Sequence, residues 1–240
     1  MGDFGYWSWS IEPIGAYNEV RMKIADEVET VFTDKKPLAV WRGAALSDQR
    51  RKLLDIAKGK DWADMKEVVW EEKPELLSIA DHCRYMFVVH TEGASIIQPN
   101  CLHCECANAI VIGRSYSGRL KYLQNCRSVV IIPKLNSIER HHHLLVSKGI
   151  EQNFVEVESD FSDLESKIQQ YLAHPGEAER VANNSVALFR DRYLTPAAQA
   201  CYWRKLFRVW SQVSFDPEPY RIANDTGEKV WRGMPFETYV

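Results

Sequence analysis

The residues best suited to chemistry lie in the stretch Ser115–Cys126. Ser115 and Ser117 are of the type that caps helix N-termini, and Gly118 allows another group to approach the backbone closely. Arg119 follows in what would be the first helical turn, where the backbone amides are unpaired and the helix dipole is positive. The pattern predicts an anion site, with phosphate as the natural ligand. The alternative is an ordinary amphipathic helix whose arginine is solvated.

A second arginine, Arg42, follows the apolar run Pro37–Val40 in the tripeptide Trp41-Arg42-Gly43. This run predicts a buried strand that ends in a turn. Because ligands of open α/β sheets gather at the carboxyl ends of the strands, we expect Arg42 to emerge beside the ligand crevice. A surface arginine at a strand end is the alternative.

Strand and helix patterns alternate along most of the chain. Short apolar runs predict strands at Pro37–Val40, Lys66–Trp70, Arg84–His90, Ser128–Ile132 and Asn153–Val157. Helical spacing predicts helices at Ala16–Phe32, Ser47–Lys58, Ser115–Cys126, Asp160–Leu172, Pro175–Arg192 and Pro196–Val213. This alternation predicts an α/β fold, a Rossmann-like and mostly parallel sheet with flanking helices, across which the C-terminal helices pack. The aromatic residues of the last helix, Tyr202, Trp203, Phe207 and Trp210, are predicted to be core.

One connection is too long for such a fold. Between His90 and Ser115 lie 24 residues, whereas strand-to-helix connections usually have about 2–6. We hypothesise that residues 96–114 are an insertion, derived from an unspliced intron. Without them, a short loop containing Gly93 would lead directly into Tyr116.

Cysteines and histidines form two clusters. Cys101, His103, Cys104 and Cys106 have no second pair of ligands in the sequence, so free thiols in a loop are favoured over zinc. Cys83 and Cys126 flank apolar runs and are predicted to be core thiols. The number of cysteines does not decide whether the protein belongs to an oxidising or a reducing compartment.

The run His141-His142-His143 is a second group of residues that could bind a metal ion. Adjacent residues of a helix or strand do not share a face, so we favour a helix whose middle histidine packs inward. No metal site is predicted.

Composition excludes several classes of protein. The 240 residues carry a formal net charge of −3, which gives no bulk attraction for nucleic acid. No run of about 18 apolar residues is present, so no membrane segment is predicted. The first residues, MGDFGYWSWS, do not have the pattern of a secretory signal peptide.

Several stretches, taken in order, resemble one enzyme family. They are FGYWSWS, AVWRGAALSDQRRKLL, KDWADMK, DHCRYMFVVHTEGAS, SYSGRLKYLQNCRSVVI, HHHLLVSKGIEQNFVEVESDFSDL and FRDRYLTPAAQACYWRKL. The chain resembles the C-terminal part of fungal members of glycosyltransferase family 90, of the capsule-associated or lipopolysaccharide-modifying type. That family is related to the protein O-glucosyl- and O-xylosyltransferases.

The resemblance implies the donor-binding half of a GT-B-like enzyme, with two Rossmann-like halves around a nucleotide sugar. By motif position, Arg42 and Arg119 would bind the donor diphosphate. The donor pocket would be formed by Gly43, Glu92, Gly93, Tyr116, Ser117 and Gly118. The implied donor is UDP-xylose or UDP-glucose and the acceptor is a glycan or protein hydroxyl. No covalently bound cofactor or nucleic-acid partner is implied, and assistance by a divalent cation stays open.

The domain organisation follows from the same resemblance. Residues 1–36 would cross from a largely missing N-terminal half that carries the acceptor base, residues 37–215 would form the donor domain, and residues 216–240 an extended strap. The family implies the secretory pathway and Golgi, although no targeting element is recognised in this chain. The alternative function is a non-catalytic remnant that binds a nucleotide sugar, or an interaction module. A zinc-dependent or nucleic-acid-binding domain is disfavoured.

Overall fold

The core of the fold is a parallel five-stranded sheet. The computed structural model describes residues 14–28, 30–69, 77–97, 110–115, 117–216 and 218–233. The sheet consists of β1 (Lys36–Gly43), β2 (Ala63–Glu67), β3 (Tyr85–Val89), β6 (Val129–Pro133) and β7 (Val155–Val157), in the order β2-β1-β3-β6-β7. All four neighbouring pairs are parallel, which confirms the predicted α/β sheet.

The helices lie between these strands in the chain and after them. They are α1 (Tyr17–Lys23), α2 (Asp48–Ala57), α3 (Leu120–Leu123), α4 (Leu164–Ala173), α5 (Pro175–Ser185) and α6 (Pro196–Val213). Wider π-helical turns extend α1 over Ile24–Val28 and α5 over Val186–Tyr193. Short 3-10 turns cover Phe32–Asp34, Ala80–Arg84 and His142–Leu144.

The two faces of the sheet are buried in separate hydrophobic clusters. Ala39 and Trp41 of β1 belong to the cluster that α4 and α5 cover, whereas Val40 belongs to the cluster that contains Leu120 and Leu123 of α3. This division follows from the alternation of side chains along a strand. Strands buried on both sides read as continuous apolar runs, which is why β3 and β6 are recognisable in the sequence.

Local signals fix α2 closely. Ser47 accepts a hydrogen bond from the backbone N–H of Arg50, as predicted for its N-cap. Gly59 has a φ of +72°, the left-handed conformation that glycine adopts readily after a helix.

A second, two-stranded sheet joins the flanks of the long connection after β3. It pairs β4 (Gly93–Ile97) with β5 (Ile110–Ser115) in antiparallel orientation, with Gly93 opposite Ser115 and Ile97 opposite Ile110. Ser115 therefore ends a strand, and the expectation that it caps a helix is wrong. Cys101, His103, Cys104 and Cys106 lie outside the described residues, and the insertion hypothesis for residues 96–114 stays a prediction.

Cys83 and Cys126 lie in the core as predicted, but they form a disulfide bond, so the prediction that they are free thiols is wrong. Both residues are fully buried in a cluster that also contains Tyr17 and Tyr122. Because the two cysteines are 43 residues apart in the sequence, only the fold reveals that they are neighbours. The bond ties the turn that precedes β3 to the segment that follows α3.

The chain divides into two compact units, Met1–Pro196 and Ala197–Val240. In the second unit, α6 is followed by an antiparallel pair, β8 (Tyr220–Ile222) and β9 (Lys229–Trp231). The prediction of a core position for the aromatic residues of α6 is wrong, because the helix has no buried residue and Phe207 and Trp210 are both 63% exposed. Helical spacing identifies the apolar face of a helix, but it does not show whether other residues of the chain pack against that face.

Within the described residues, none of the helices combines the length and the apolar character that crossing a membrane requires.

Candidate functional site

The candidate site lies where the chain order of the sheet reverses. With the order β2-β1-β3-β6-β7, the connection after β1 leads to one edge and the connection after β3 leads towards the other. Ligands of doubly wound sheets bind outside the carboxyl ends of the two strands at this switch point. Here those ends carry Trp41-Arg42-Gly43 and Thr91-Glu92-Gly93, and the Trp41 indole N–H donates a 3.1 Å hydrogen bond to the Thr91 hydroxyl.

Arg119 reaches this switch point from the turn before α3. Its guanidinium carbon lies 5.6 Å from the centre of the Trp41 ring, within cation–π range. A Cβ atom placed on Gly43 would lie 3.2 Å from Arg119 Nη2. Arg119 Nη1 is buried and has no hydrogen-bond partner among the described residues. Gly43 therefore leaves room for the guanidinium of Arg119, whose Nη1 can still donate a hydrogen bond to a ligand.

A second guanidinium, that of Arg50, comes from the first turn of α2. Its carbon lies 5.9 Å from the centre of the same Trp41 ring. Its Nε and Nη1 donate to the backbone carbonyls of Glu92 (3.2 Å) and Ala44 (2.9 Å). Sequence reasoning missed Arg50, although the same signal was present: an arginine three residues after a serine N-cap, in a helix that follows a strand.

The two guanidiniums carry charge that this part of the chain does not neutralise. Burial, followed by the charge of Arg50, lowers the pKa of Arg119 to about 10, and burial lowers the pKa of Arg50 as well. At neutral pH Arg119 is therefore still a cation. In the described part of the chain, no carboxylate forms an ion pair with Arg50 or Arg119. An anion that binds between them would relieve their mutual repulsion.

Arg42 stands at the same strand end but is paired. It donates to Asp64 Oδ1 at 2.7 Å and to the Asp64 and Trp41 carbonyls, and its side chain is 11% exposed. Tyr85 donates to the other oxygen of Asp64 at 2.5 Å. Burial alone would raise the pKa of Asp64, but the hydrogen bonds from Tyr85 and Arg42 outweigh it and hold the pKa below its usual value. Asp64 thus fixes the guanidinium of Arg42 in place.

Glu92 is buried, and its carboxylate points to the connection after β6. It accepts hydrogen bonds from the backbone N–H groups of Asn136 (2.7 Å) and Ser137 (3.2 Å) and from their side chains. Gly93, the next residue, is partly exposed and begins β4. The carboxylate therefore positions a loop, while the backbone carbonyl of Glu92 accepts a hydrogen bond from Arg50.

Ser117 and Gly118 are partly exposed and precede Arg119, whereas Tyr116 lies outside the described residues. The helix that follows is shorter than predicted, since α3 has four residues and Arg119 itself occupies the N-cap position, without a side-chain cap. So short a helix has a small dipole. The positive potential of the site therefore comes from the arginine side chains.

Two buried histidines border the arginines and are neutral. Burial, followed by the charge of Arg119, lowers the pKa of His82 to about 4 and that of His90 to about 3. Arg42 also contributes to the lowering of the pKa of His82.

The histidine run is arranged differently from the prediction. His141 is 2% exposed, His142 is partly exposed and His143 is exposed. The expectation that the middle histidine packs inward is therefore wrong, because the 3-10 turn His142–Leu144 begins one residue after His141.

Comparison with known proteins gives two findings. The profile described as "Glycosyl transferase family 90" matches residues 1–224. The chain is also 22% identical over 191 residues to a protein of Anopheles gambiae named "O-glucosyltransferase rumi homolog". That alignment covers 75% of this chain and 42% of the mosquito protein, so the chain spans less than half the length of this relative.

Proposed function

The chain belongs to glycosyl transferase family 90, and from this membership we propose that it binds the UDP-sugar donor of a glycosyl transfer to a hydroxyl acceptor. The donor in this proposal is UDP-xylose or UDP-glucose. The name of the mosquito relative, an O-glucosyltransferase, is in keeping with such a donor and acceptor.

The observation that carries the proposal is the pair of unopposed guanidiniums at the switch point. Arg119 and Arg50 both lie over the buried indole of Trp41 and have no carboxylate partner in the described residues. A diphosphate supplies two negative charges and acceptor oxygens that suit the planar fork of arginine. Arg42 would add positive potential from the same strand end, although it shares its charge with Asp64.

The chemistry follows from charge that develops on the leaving group. In the transfer, the bond between the sugar C1 and the diphosphate oxygen breaks, and a bond from C1 to the acceptor oxygen forms. The acceptor hydroxyl gives its proton to a base, which we expect outside the donor half. Arginines that are already in place stabilise the departing UDP without further reorganisation, and this is their contribution to the rate.

The other residues of the predicted donor pocket belong to this proposal as well. Gly43 gives Arg119 room, Ser117 and Gly118 immediately precede Arg119 in the chain, and Gly93 follows Glu92, whose carbonyl accepts a hydrogen bond from Arg50. In this proposal their backbones contact the nucleotide or the phosphates. Glu92 acts indirectly, because its carboxylate holds Asn136 and Ser137.

Calorimetric titration of UDP, UMP and uridine into the protein tests donor binding. We expect UDP to bind most tightly, and Arg119→Ala to lose about 1.5–3 kcal/mol of UDP affinity, the scale of a hydrogen bond to a charged group. The matched control is Arg127→Ala, a residue on the same segment. An Arg119→Ala variant that binds UDP like the unmodified protein would exclude the assigned role.

The same protein preparation distinguishes transfer from binding alone. The alternative is a non-catalytic module that holds a nucleotide sugar. Release of UDP from UDP-glucose or UDP-xylose in the presence of a hydroxyl acceptor supports the enzyme. UDP binding with no sugar consumed supports the module.

A further inference from the structure

A cluster of metal-type ligands lies in the connection between β6 and β7. One ligand atom each from Glu139, His141 and His142 can be chosen so that all three lie within 4.8 Å of one another. The rings of His141 and His142 meet edge to face, with centres 4.9 Å apart. The carboxylate of Glu139 approaches His141 Nδ1 to 3.7 Å, beyond hydrogen-bonding distance.

His141 is the most informative member of this cluster. Its side chain is buried, and neither ring nitrogen has a hydrogen-bond partner in the described residues. Burying polar atoms without partners is costly, so such atoms are rare in folded proteins and call for an explanation. An unprotonated ring nitrogen with no hydrogen bond is what a metal ion requires of a histidine.

Backbone groups hold the ring of His142 in place. Its Nδ1 accepts a 3.1 Å hydrogen bond from the Glu139 backbone N–H and lies 3.2 Å from the Ser137 carbonyl oxygen. Coordination through Nε2 requires the ring proton to move to Nδ1, where it would be donated to the Ser137 carbonyl in place of the hydrogen bond from Glu139. Such a bond from the second ring nitrogen to a carbonyl fixes the ring and its tautomer in most metal sites.

We propose that Glu139, His141 and His142 form a binding site for a zinc ion. Two imidazoles and one carboxylate are a known zinc ligand set, and three protein ligands leave at least one coordination position open. Ligand atoms around zinc stand about 3.3 Å apart, given bonds of about 2.0–2.1 Å. Small side-chain rotations therefore suffice to close the cluster. The geometric objection to adjacent histidines fails here because the rings of His141 and His142 lie in contact, with centres 4.9 Å apart.

The surrounding charges make the carboxylate essential. The positive charges of Arg140 and Lys121 act on His141. They oppose a dication at this position, so two neutral imidazoles alone would hold zinc weakly. Glu139 supplies the only negative ligand of the three. We therefore expect Glu139→Gln, which keeps the shape of the side chain, to weaken binding as strongly as removal of a histidine.

Zinc titration of the whole, chelator-treated chain tests the site. We expect one zinc ion per chain, and an affinity reduced about tenfold or more in Glu139→Gln and in His142→Ala. His143→Ala is the matched control because His143 is exposed and adjacent, and it should bind zinc normally. Zinc should also raise the melting temperature of the unmodified protein but not that of Glu139→Gln. Equal zinc affinity in all four proteins would overturn the proposal.

Thiols need a separate control, since Cys101, Cys104 and Cys106 lie outside the described residues and Cys201 is an exposed free cysteine. We expect a variant with all four replaced by serine to retain zinc binding. Cobalt bound in place of zinc should show ligand-field bands without thiolate-to-metal charge transfer. A strong charge-transfer band, or loss of the metal in the serine variant, would assign the ion to sulfur and refute the proposed site.

Discussion

The guanidinium of Arg119 and the indole of Trp41 lie 5.6 Å apart, and this contact defines the candidate donor site. Trp41 is fully buried at the end of β1, and its ring nitrogen is hydrogen-bonded to Thr91 after β3. The ring is thus held by both strands of the switch point. Arg50 lies over the same ring, so one rigid side chain positions two cations for a ligand.

Arg50 and Arg51 are neighbours on α2 with opposite surroundings. Arg50 faces the site, whereas the Arg51 side chain is 54% exposed and pairs with Asp48. We expect Arg50→Ala to weaken UDP binding about tenfold or more, the effect of losing one charged hydrogen bond. Arg51→Ala should leave the dissociation constant unchanged. Equal losses in the two variants, measured by calorimetry at one salt concentration, would mean that bulk charge accounts for binding.

Gly43 is predicted to be intolerant of a side chain. A Cβ atom there would lie 2.9 Å from the Trp41 ring and 3.2 Å from Arg119 Nη2. Because the indole is buried, the arginine must move, and we expect Gly43→Ala to cost about 1–3 kcal/mol of stability and to weaken UDP binding.

The control for this substitution is Gly176→Ala, at a helical position where a Cβ atom meets nothing within 4 Å. It should be neutral or slightly stabilising, because alanine favours a helix over glycine. Thermal melts and UDP titrations measure both variants. Unchanged UDP affinity in Gly43→Ala would show that the position of Arg119 is not critical.

The Cys83–Cys126 disulfide is expected to support the unit that contains the site. Removing both cysteines, as Cys83→Ala with Cys126→Ala, should lower the free energy of unfolding by about 2–4 kcal/mol. A reductant should lower the melting temperature of the unmodified protein and have little effect on the double variant. Thiol labelling of the unfolded, unreduced chain should count two fewer cysteines than labelling after reduction. Equal counts would contradict the bond.

Acid should destabilise the protein in part through His82. Burial, with Arg119 next, lowers its pKa in the folded state to about 4, whereas an unfolded histidine titrates near 6.5. The unfolded chain therefore binds the proton first as pH falls. Stability is lost between about pH 6.5 and 4, by on the order of 3 kcal/mol for this group.

Replacement of His82 by asparagine isolates this contribution. The free energy of unfolding of His82→Asn should fall less steeply with acid, by about 1.4 kcal/mol per pH unit within that window. The matched control is asparagine at the exposed position of His174. Denaturant titrations at several pH values measure both, and identical slopes for His82→Asn and the unmodified protein would refute the assignment.

The sheet could be predicted from sequence because its strands are continuous apolar runs. Predicted Arg84–His90 and Ser128–Ile132 differ by one residue at either end from observed β3 and β6. Proline and capping signals located α6 and the start of α5 equally well. Apolar runs, prolines and capping residues act on their own segment of the chain, and so they can be recognised in a single sequence.

What sequence reasoning missed depends on distant partners. The helix expected from Ser115 gives way to β5 because β4 offers backbone hydrogen bonds that no local pattern reveals. The pairing of Cys126 with Cys83 depends on the tertiary fold, which brings the two residues together. The aromatic face of α6 likewise does not reveal whether another part of the chain buries it. Arg50 is a different case, since the helix-start argument used for Arg119 applied to it as well.

The antiparallel pairing of Ile97 with Ile110 has a consequence for how this protein can vary and be engineered. The stretch between these partners has its two ends side by side, because Ile97 and Ile110 are paired across the two strands. Closing a loop costs only about 0.6 kcal/mol more when its length doubles. Trimming it, or grafting a fluorescent reporter into it, should therefore leave the main sheet assembled.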